Sequence, residues 1–383
     1  MQVYLDNSAT TRPCSEVKKL VSEMAEQGWY NPSALYKPAL EIQKRIDGTR
    51  EALLNTVGAG GNRIVFTSGG TESDNLALLG HMRSRRPGSR VLISAVEHPA
   101  VSACAEELKR MGFPTEEIPA GPEGTADLEK LEKMLGPDVA MIAVMQVNNE
   151  TGALEPLEEI ARIRSRICPE AAIHVDGVQG FLRVPLAFNK LGIQSYALSG
   201  HKIHALKGTG ALVFARNHPI RPIQFGGGQE GGIRSGTENT FGILSLGAAV
   251  SAWKSGDCER MKELKNKLWS EISARIPSAS LNGPNPASGK SAPHILNVAL
   301  PPVRSQTMLF ALEGDGILVS AGSACASRKQ RISPVLKAMG VPPEKADCSL
   351  RFSLSRETTE EEIRYTAERV AVQFESLKRF TRR

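Results

Sequence analysis

Five stretches of this chain read as buried β-strands, and each runs out into residues with chemistry to offer. Arg63-Ile64-Val65-Phe66-Thr67 leads into Ser68-Gly69-Gly70-Thr71-Glu72-Ser73, and Val91-Leu92-Ile93-Ser94 is followed by Glu97-His98. The long run from Val139 to Val147 meets Asn148-Asn149-Glu150, Ile173-His174-Val175-Asp176 meets Gly177-Val178-Gln179, and Tyr196-Ala197-Leu198 meets Ser199-Gly200-His201-Lys202. Short apolar, β-branched runs bounded by turn residues are the pattern of strands covered on both faces. Helical periodicity fills intervals between them, from Asp74 to about Arg83 and from Leu157 to about Ile167. This alternation predicts an α/β fold, a mostly parallel central sheet flanked by helices. Such sheets bind ligands beyond the carboxyl ends of their strands. His98, Asn149, Asp176, Gln179 and Lys202 should therefore converge along one edge. Singly, each has an ordinary reading as a surface histidine, a turn residue or a helix cap. Their shared position favours function.

Lys202 constrains the chemistry most. It sits on a short turn between two buried strands, the second being Ala211-Leu212-Val213-Phe214. An ammonium held there is poorly solvated, which lowers its pKa as a Schiff-base lysine requires. Strand, glycine turn and helix N-terminus at 63–74 form the geometry that offers free backbone N–H groups and a positive dipole end to a phosphate. A pyridoxal phosphate site asks for a lysine, an acid for the pyridine nitrogen, a ring to stack and phosphate donors. Lys202, Asp176 and His98 supply the first three. Thr71, Ser199 and His201 supply donors, with the backbone of Gly70 and Thr71.

The character changes beyond about Asp257. A helix from Glu259 to about Ile276 gives way to strands at 295–298, 317–319 and 350–354, separated by helices at 307–312 and 334–339. A last helix runs from Glu360 to Leu377, with Thr359 and Glu362 as its capping box. At 383 residues the chain is long enough for two domains. Residues 13–257 are expected to form a large cofactor domain, and residues 258–383 a smaller α+β domain that 1–12 rejoin. No apolar run approaches the length of a membrane span, and the N-terminus lacks signal-peptide features, so a cytoplasmic protein without membrane contact is expected. The net charge of +6 includes a cluster at Lys378, Arg379, Arg382 and Arg383. That cluster reads as a solvated helix end, so no direct nucleic-acid contact is expected. The six cysteines have no metal-ligand spacing, and no metal is expected.

In this order, Asp6-Asn7-Ser8-Ala9-Thr10-Thr11, the 67–75 segment, Glu97-His98, Val147–Glu150, His174–Asp176 and Ser199–Lys202 resemble the signatures of the class V aminotransferase superfamily. Within it the chain is similar to cysteine desulfurases of the NifS/IscS type over nearly its whole length. The resemblance implies the pyridoxal-phosphate fold type I and a homodimer. It implies conversion of L-cysteine to L-alanine, with a persulfide on Cys325 in Ala321-Gly322-Ser323-Ala324-Cys325-Ala326-Ser327. Small residues around this lone cysteine suggest an accessible thiol, and Arg328, Lys329 and Arg331 would lower its pKa. His98 would serve in catalysis beside Lys202 and Cys325. Gly70, Thr71, Asn149, Asp176, Gln179, Ser199, Gly200 and His201 would hold the cofactor. Thr237, in a segment that crosses the dimer interface in relatives, would donate to the neighbouring subunit's phosphate. Arg351, Asn149 and Asn31 would meet the substrate, Arg351 through its carboxylate. The chain lacks the longer C-terminal tail that housekeeping relatives use to dock an iron–sulfur scaffold. The sulfur acceptor therefore stays open between such a scaffold and a tRNA-thiolation sulfurtransferase. Selenocysteine lyase, aminotransferase and a non-enzymatic cofactor-binding partner protein remain alternatives.

Overall fold

The computed structural model describes residues 1–321 and 333–380. Its first strand, β1 (Val3–Tyr4), stands apart from a sheet of seven: β2 (Arg63–Thr67), β3 (Arg90–Ser94), β4 (Thr115–Ile118), β5 (Val139–Met145), β6 (Ala172–Asp176), β7 (Ser195–Ser199) and β8 (Gly210–Phe214). Their spatial order is β2-β8-β7-β6-β5-β3-β4. Only β8 runs against its neighbours. The link from Ser199 to Gly210 explains this, since a parallel partner needs a crossover of roughly a dozen residues or more. Strands β5 to β8 are buried along their whole length, as sheets with helices on both faces require.

One face packs Val65, Leu76, Leu78, Leu108, Met141 and Phe214, using the helices Gly70–Met82 and Pro99–Arg110. The other packs Ile46, Leu53, Phe66, Ile142, Phe181 and Leu198 against helices that include Lys37–Thr56 and Thr240–Ala252. The helix Gly70–Met82 starts before the Asp74 expected from periodicity, because its first turn is polar and its apolar spacing begins only at Leu76. Strand β5 ends at Met145, short of the expected Val147. Val147 bridges instead to Leu154 and packs with Ala292 and Ile295.

A separate core joins Val3 and Leu5 to Leu268, Leu312, Leu350, Phe352 and Val370. Its strands are β9 (Ser280–Leu281), β10 (Ile295–Ala299), β11 (Ile317–Leu318), β12 (Ser320–Ala321) and β13 (Ser349–Ser353). Four of them form an antiparallel sheet in the order β12-β13-β10-β9, while β1 lies parallel to β11 with Val3 opposite Ile317. The single strand expected over 317–319 is thus only Ile317–Leu318, and a second strand in the other sheet follows at Ser320–Ala321. Ser353 fastens the N-terminal segment: its amide donates to Leu5 O, its carbonyl accepts from Asn7 Nδ2 at 2.9 Å, and its hydroxyl accepts from Ser8 N at 2.8 Å. The last helix, Glu360–Leu377, carries the Thr359–Glu362 capping box.

Candidate active site

The Lys202 turn is built by close backbone approach. Gly200 N donates to Thr209 O at 2.9 Å, and a Cβ on Gly200 would lie 2.7 Å from Thr209 Cγ2 and 3.0 Å from Leu206 O. A side chain there would push the turn off β8. A single 3₁₀ turn, Gly200–Lys202, then presents His201 and Lys202 at the carboxyl end of β7. The N-terminal segment meets it: Lys202 Nζ donates to Ser8 O at 2.5 Å and to Ala9 O at 2.8 Å. Thr11 donates through N and Oγ1 to His201 O, and Thr10 Oγ1 lies 3.1 Å from His201 Nδ1. Arg183 donates to Lys202 O from behind.

Asp176 closes β6, and its Oδ1 accepts from Val178 N at 2.9 Å. His98 caps the helix Pro99–Arg110, with Nδ1 accepting from Ala100 N at 3.1 Å. That bond leaves the ring proton of a neutral His98 on Nε2. Burial lowers the His98 pKa, against the pull of Asp176. Two further buried acids stand near Asp176. Glu97 Oε1 accepts from Met145 N at 2.6 Å, and Asp74 Oδ1 lies 3.1 Å from His174 Nε2. Burial raises all three acids. For Asp74 and Glu97 neighbouring carboxyls add to the rise, whereas His98, the Val178 amide and Lys202 oppose it at Asp176. Of the three, Asp176 is therefore the acid whose surroundings most favour negative charge. His174 thus links Asp74 to Ser195, its Nδ1 lying 2.9 Å from Ser195 Oγ.

Arg351, buried on β13, enters the same space from the other core. It donates to Asn149 O at 2.9 Å and to Asp6 Oδ1 at 2.8 Å. The fully buried Asn148 shapes the turn that brings Asn149 there. Its Oδ1 accepts from the amides of Glu150 and Thr151 at 2.9 Å each, and its Nδ2 donates to Val96 O at 3.1 Å.

Gly70, Thr71, His98, Asn149, Asp176, Gln179, Ser199, His201, Lys202 and Arg351 line one cavity of about 200 Å³ that opens to solvent. Gly200 lies behind it in the turn. Sequence reasoning missed Ser8, Asp74, Met145, Val147 and Val178, which also line it. Asn31 is exposed, its Oδ1 accepting from Ser33 N in a local turn, and does not line this cavity. Thr237 is likewise exposed and does not line the cavity of its own chain. Cys325, with Arg328, Lys329 and Arg331, lies outside the described residues. No metal-binding cluster occurs among the described residues.

Comparison with known proteins adds a second line of argument. A family model described as aminotransferase class V matches residues 3–365. Cysteine desulfurase IscS of Dictyoglomus turgidum is 35% identical over 369 residues, 95% of this chain and 92% of its own length. Cysteine desulfurase NifS of Azotobacter vinelandii is 36% identical over 367 residues, 94% and 90% of the two chains. Among solved structures, a NifS-like protein superposes with a TM-score of 0.89 at 31% identity, covering 98% of this chain and 100% of that one.

Proposed function

The chain belongs to the class V aminotransferase family and has its fold-type-I architecture, and from that premise we propose that it is a pyridoxal-phosphate-dependent cysteine desulfurase. One observation carries the reading. Lys202, Asp176, His98 and Arg351 reach a single cavity from four different elements. The donor set fits the cofactor. Asp176 is a buried acid for a ring nitrogen, His98 is an imidazole for its face, and Lys202 is an amine for its aldehyde. The Gly70–Met82 N-terminus, Thr71, Ser199 and His201 suit its phosphate. Gly70 packs so tightly that a Cβ would sit 2.5 Å from Val178 Cγ2, which leaves its backbone bare toward a ligand.

When bound, pyridoxal phosphate supplies an electron sink conjugated to the amino acid's Cα. Arg351 binds the substrate carboxylate, and its Nε, buried without a partner among the described residues, is a donor in reserve. Gln179 and Asn149, which line the cavity, would hold the cofactor's ring and phenolic oxygen. Lys202 Nζ, once neutral, takes the Cα proton, while Asp176 keeps its charge against a protonated ring nitrogen. His98 presents Nε2–H for proton transfer at the leaving side. Cys325 enters from the sequence alone. Its thiolate forms an S–S bond to the substrate sulfur as the Cβ–S bond breaks. The electron pair stays on the substrate's Cβ, which takes a proton, and Lys202 returns its proton to Cα to give alanine. The persulfide then passes to an acceptor protein, an iron–sulfur scaffold or a tRNA-thiolation sulfurtransferase. The exposure of Thr237 in one chain supports its facing a second copy in a homodimer. We assign the enzyme to the cytoplasm, and no helix among the described residues is long and apolar enough to cross a membrane.

The test is incubation of the purified protein with pyridoxal phosphate, L-cysteine and a thiol reductant. Alanine and sulfide should appear in equal amounts. Pyruvate with ammonia, or a transaminated product, in place of alanine would overturn the assignment.

A further inference from the structure

We propose that His294 is a positioning residue that fixes which end of the Gln179 amide faces the cavity. Gln179 is buried, and its Nε2 donates to Ser8 O at 3.0 Å. Ser8 O is the carbonyl that also accepts from Lys202. A carbonyl can only accept, so the NH₂ end of Gln179 must face it. This turns Gln179 Oε1 toward His294 Nε2, 3.2 Å away. The contact needs a proton on that nitrogen.

His294 is fully buried, and its Nδ1 has no partner among the described residues. Burial first, then the positive charges of Arg183, Lys265 and Arg351, hold its pKa well below the usual histidine value. A neutral ring has one proton, and Gln179 Oε1 is the acceptor that claims it. A reversed amide would set Oε1 against Ser8 O and NH₂ against the ring N–H, two repulsive contacts in a buried place. The backbone that carries the ring is anchored, since His294 O accepts from Leu354 N just beyond β13. Of the two Gln179 N–H groups, one serves Ser8 O. The other remains for an acceptor on a ligand in the cavity that Gln179 lines. His294 therefore keeps Gln179 a donor.

This inference rests on pyridoxal phosphate occupying the cavity with its phenolic oxygen at Gln179. The test reconstitutes wild-type protein and variants with pyridoxal phosphate. It reads the cofactor's dissociation constant and the midpoint of the pH titration of its visible absorbance. An N–H donor favours the ionised oxygen, so losing it should raise the midpoint. His294→Leu should raise it by about one pH unit and weaken cofactor binding up to about tenfold, the size of one hydrogen bond. His294→Gln, whose amide N–H reaches as far as the ring's Nε2–H, should stay near wild type. In a Gln179→Leu background, His294→Leu should add no further shift. Gln179→Glu, which leaves His294 intact and replaces donor by acceptor, should reproduce the rise and covers the case in which His294→Leu does not fold. A wild-type midpoint in His294→Leu or in Gln179→Glu overturns the proposal. So does a His294→Leu shift of equal size once Gln179 is gone. Wild-type protein that takes up no cofactor overturns the functional reading instead, and this proposal with it.

Discussion

Which cysteine can act as a nucleophile is decided by solvation. Cys14, Cys104, Cys168 and Cys348 are buried and Cys258 is partly so. Burial is the first cause raising the pKa of each, and Cys104 is pushed up to about 12. None of these five offers a thiolate at neutral pH, and the thiolate is the reactive form. Cys325 is the one left. Cys325→Ser should keep pyridoxal phosphate, seen as retained visible absorbance, yet lose alanine production by on the order of 10³-fold or more. In wild-type protein treated with cysteine, mass spectrometry should find one added sulfur on the Cys325 peptide, removable by a thiol reductant. Near-normal alanine output from the serine variant would return Cys325 to a structural role.

At the scale of elements, the site depends on how each strand is ended. Asn148 illustrates this, because one buried side chain satisfies two backbone amides, the Thr151 hydroxyl and the Val96 carbonyl. Asn148→Ala would orphan them at about 1–3 kcal/mol per buried group, a loss of about 4 kcal/mol or more in all. Asn148→Asp keeps the acceptor and should lose less. Urea unfolding of the two variants measures the difference, and equal midpoints would refute this account. Strand endings were also the most legible part of the sequence, since a polar residue after an apolar run marks both a boundary and a position. Asp74 escaped notice because it lies in the polar first turn of a helix whose apolar spacing starts later. Ser8 serves through its carbonyl, which no side-chain pattern reveals. The Arg351–Asp6 pair joins residues 345 positions apart, beyond the reach of local periodicity. The reversed direction of β8 likewise follows from link length, not from the composition of the strand. Asn31 and Thr237 came from resemblance alone, and in one chain both are exposed.

Across the whole molecule, titration follows burial. All seven histidines have lowered pKa values, with burial the first cause in each. His81, His201 and His204 fall to about 4, and His174 and His218 to about 3. The unfolded chain therefore binds more protons than the folded one as pH drops from about 6.5 toward these values, and stability is lost in that window. Burial acts oppositely on acids, raising Glu150 to about 7 and Glu155 to about 8. There the folded chain holds protons that the unfolded chain releases, so stability is lost as pH rises from about 4.5 through 7 to 8. The urea midpoint should peak between about pH 5 and 7 and fall on both sides. Replacing the stacked pair His81 and His218 by glutamine should flatten the acid limb. A wild-type midpoint that stays level as pH falls from about 6.5 to 4 would contradict this. The N-terminal segment has a consequence of another kind, in the order of synthesis. Ser8 and Ala9, whose carbonyls receive the Lys202 ammonium, are held in place by Ser353. A ribosome adding about 5–20 residues per second reaches Ser353 roughly 17 to 70 s after passing Asn7, 346 positions earlier. Until then a nascent chain already contains the lysine but not the clasp that fixes its acceptors. Residues made long before Ser353 are thus among the last put to use, and unfinished chains are kept idle.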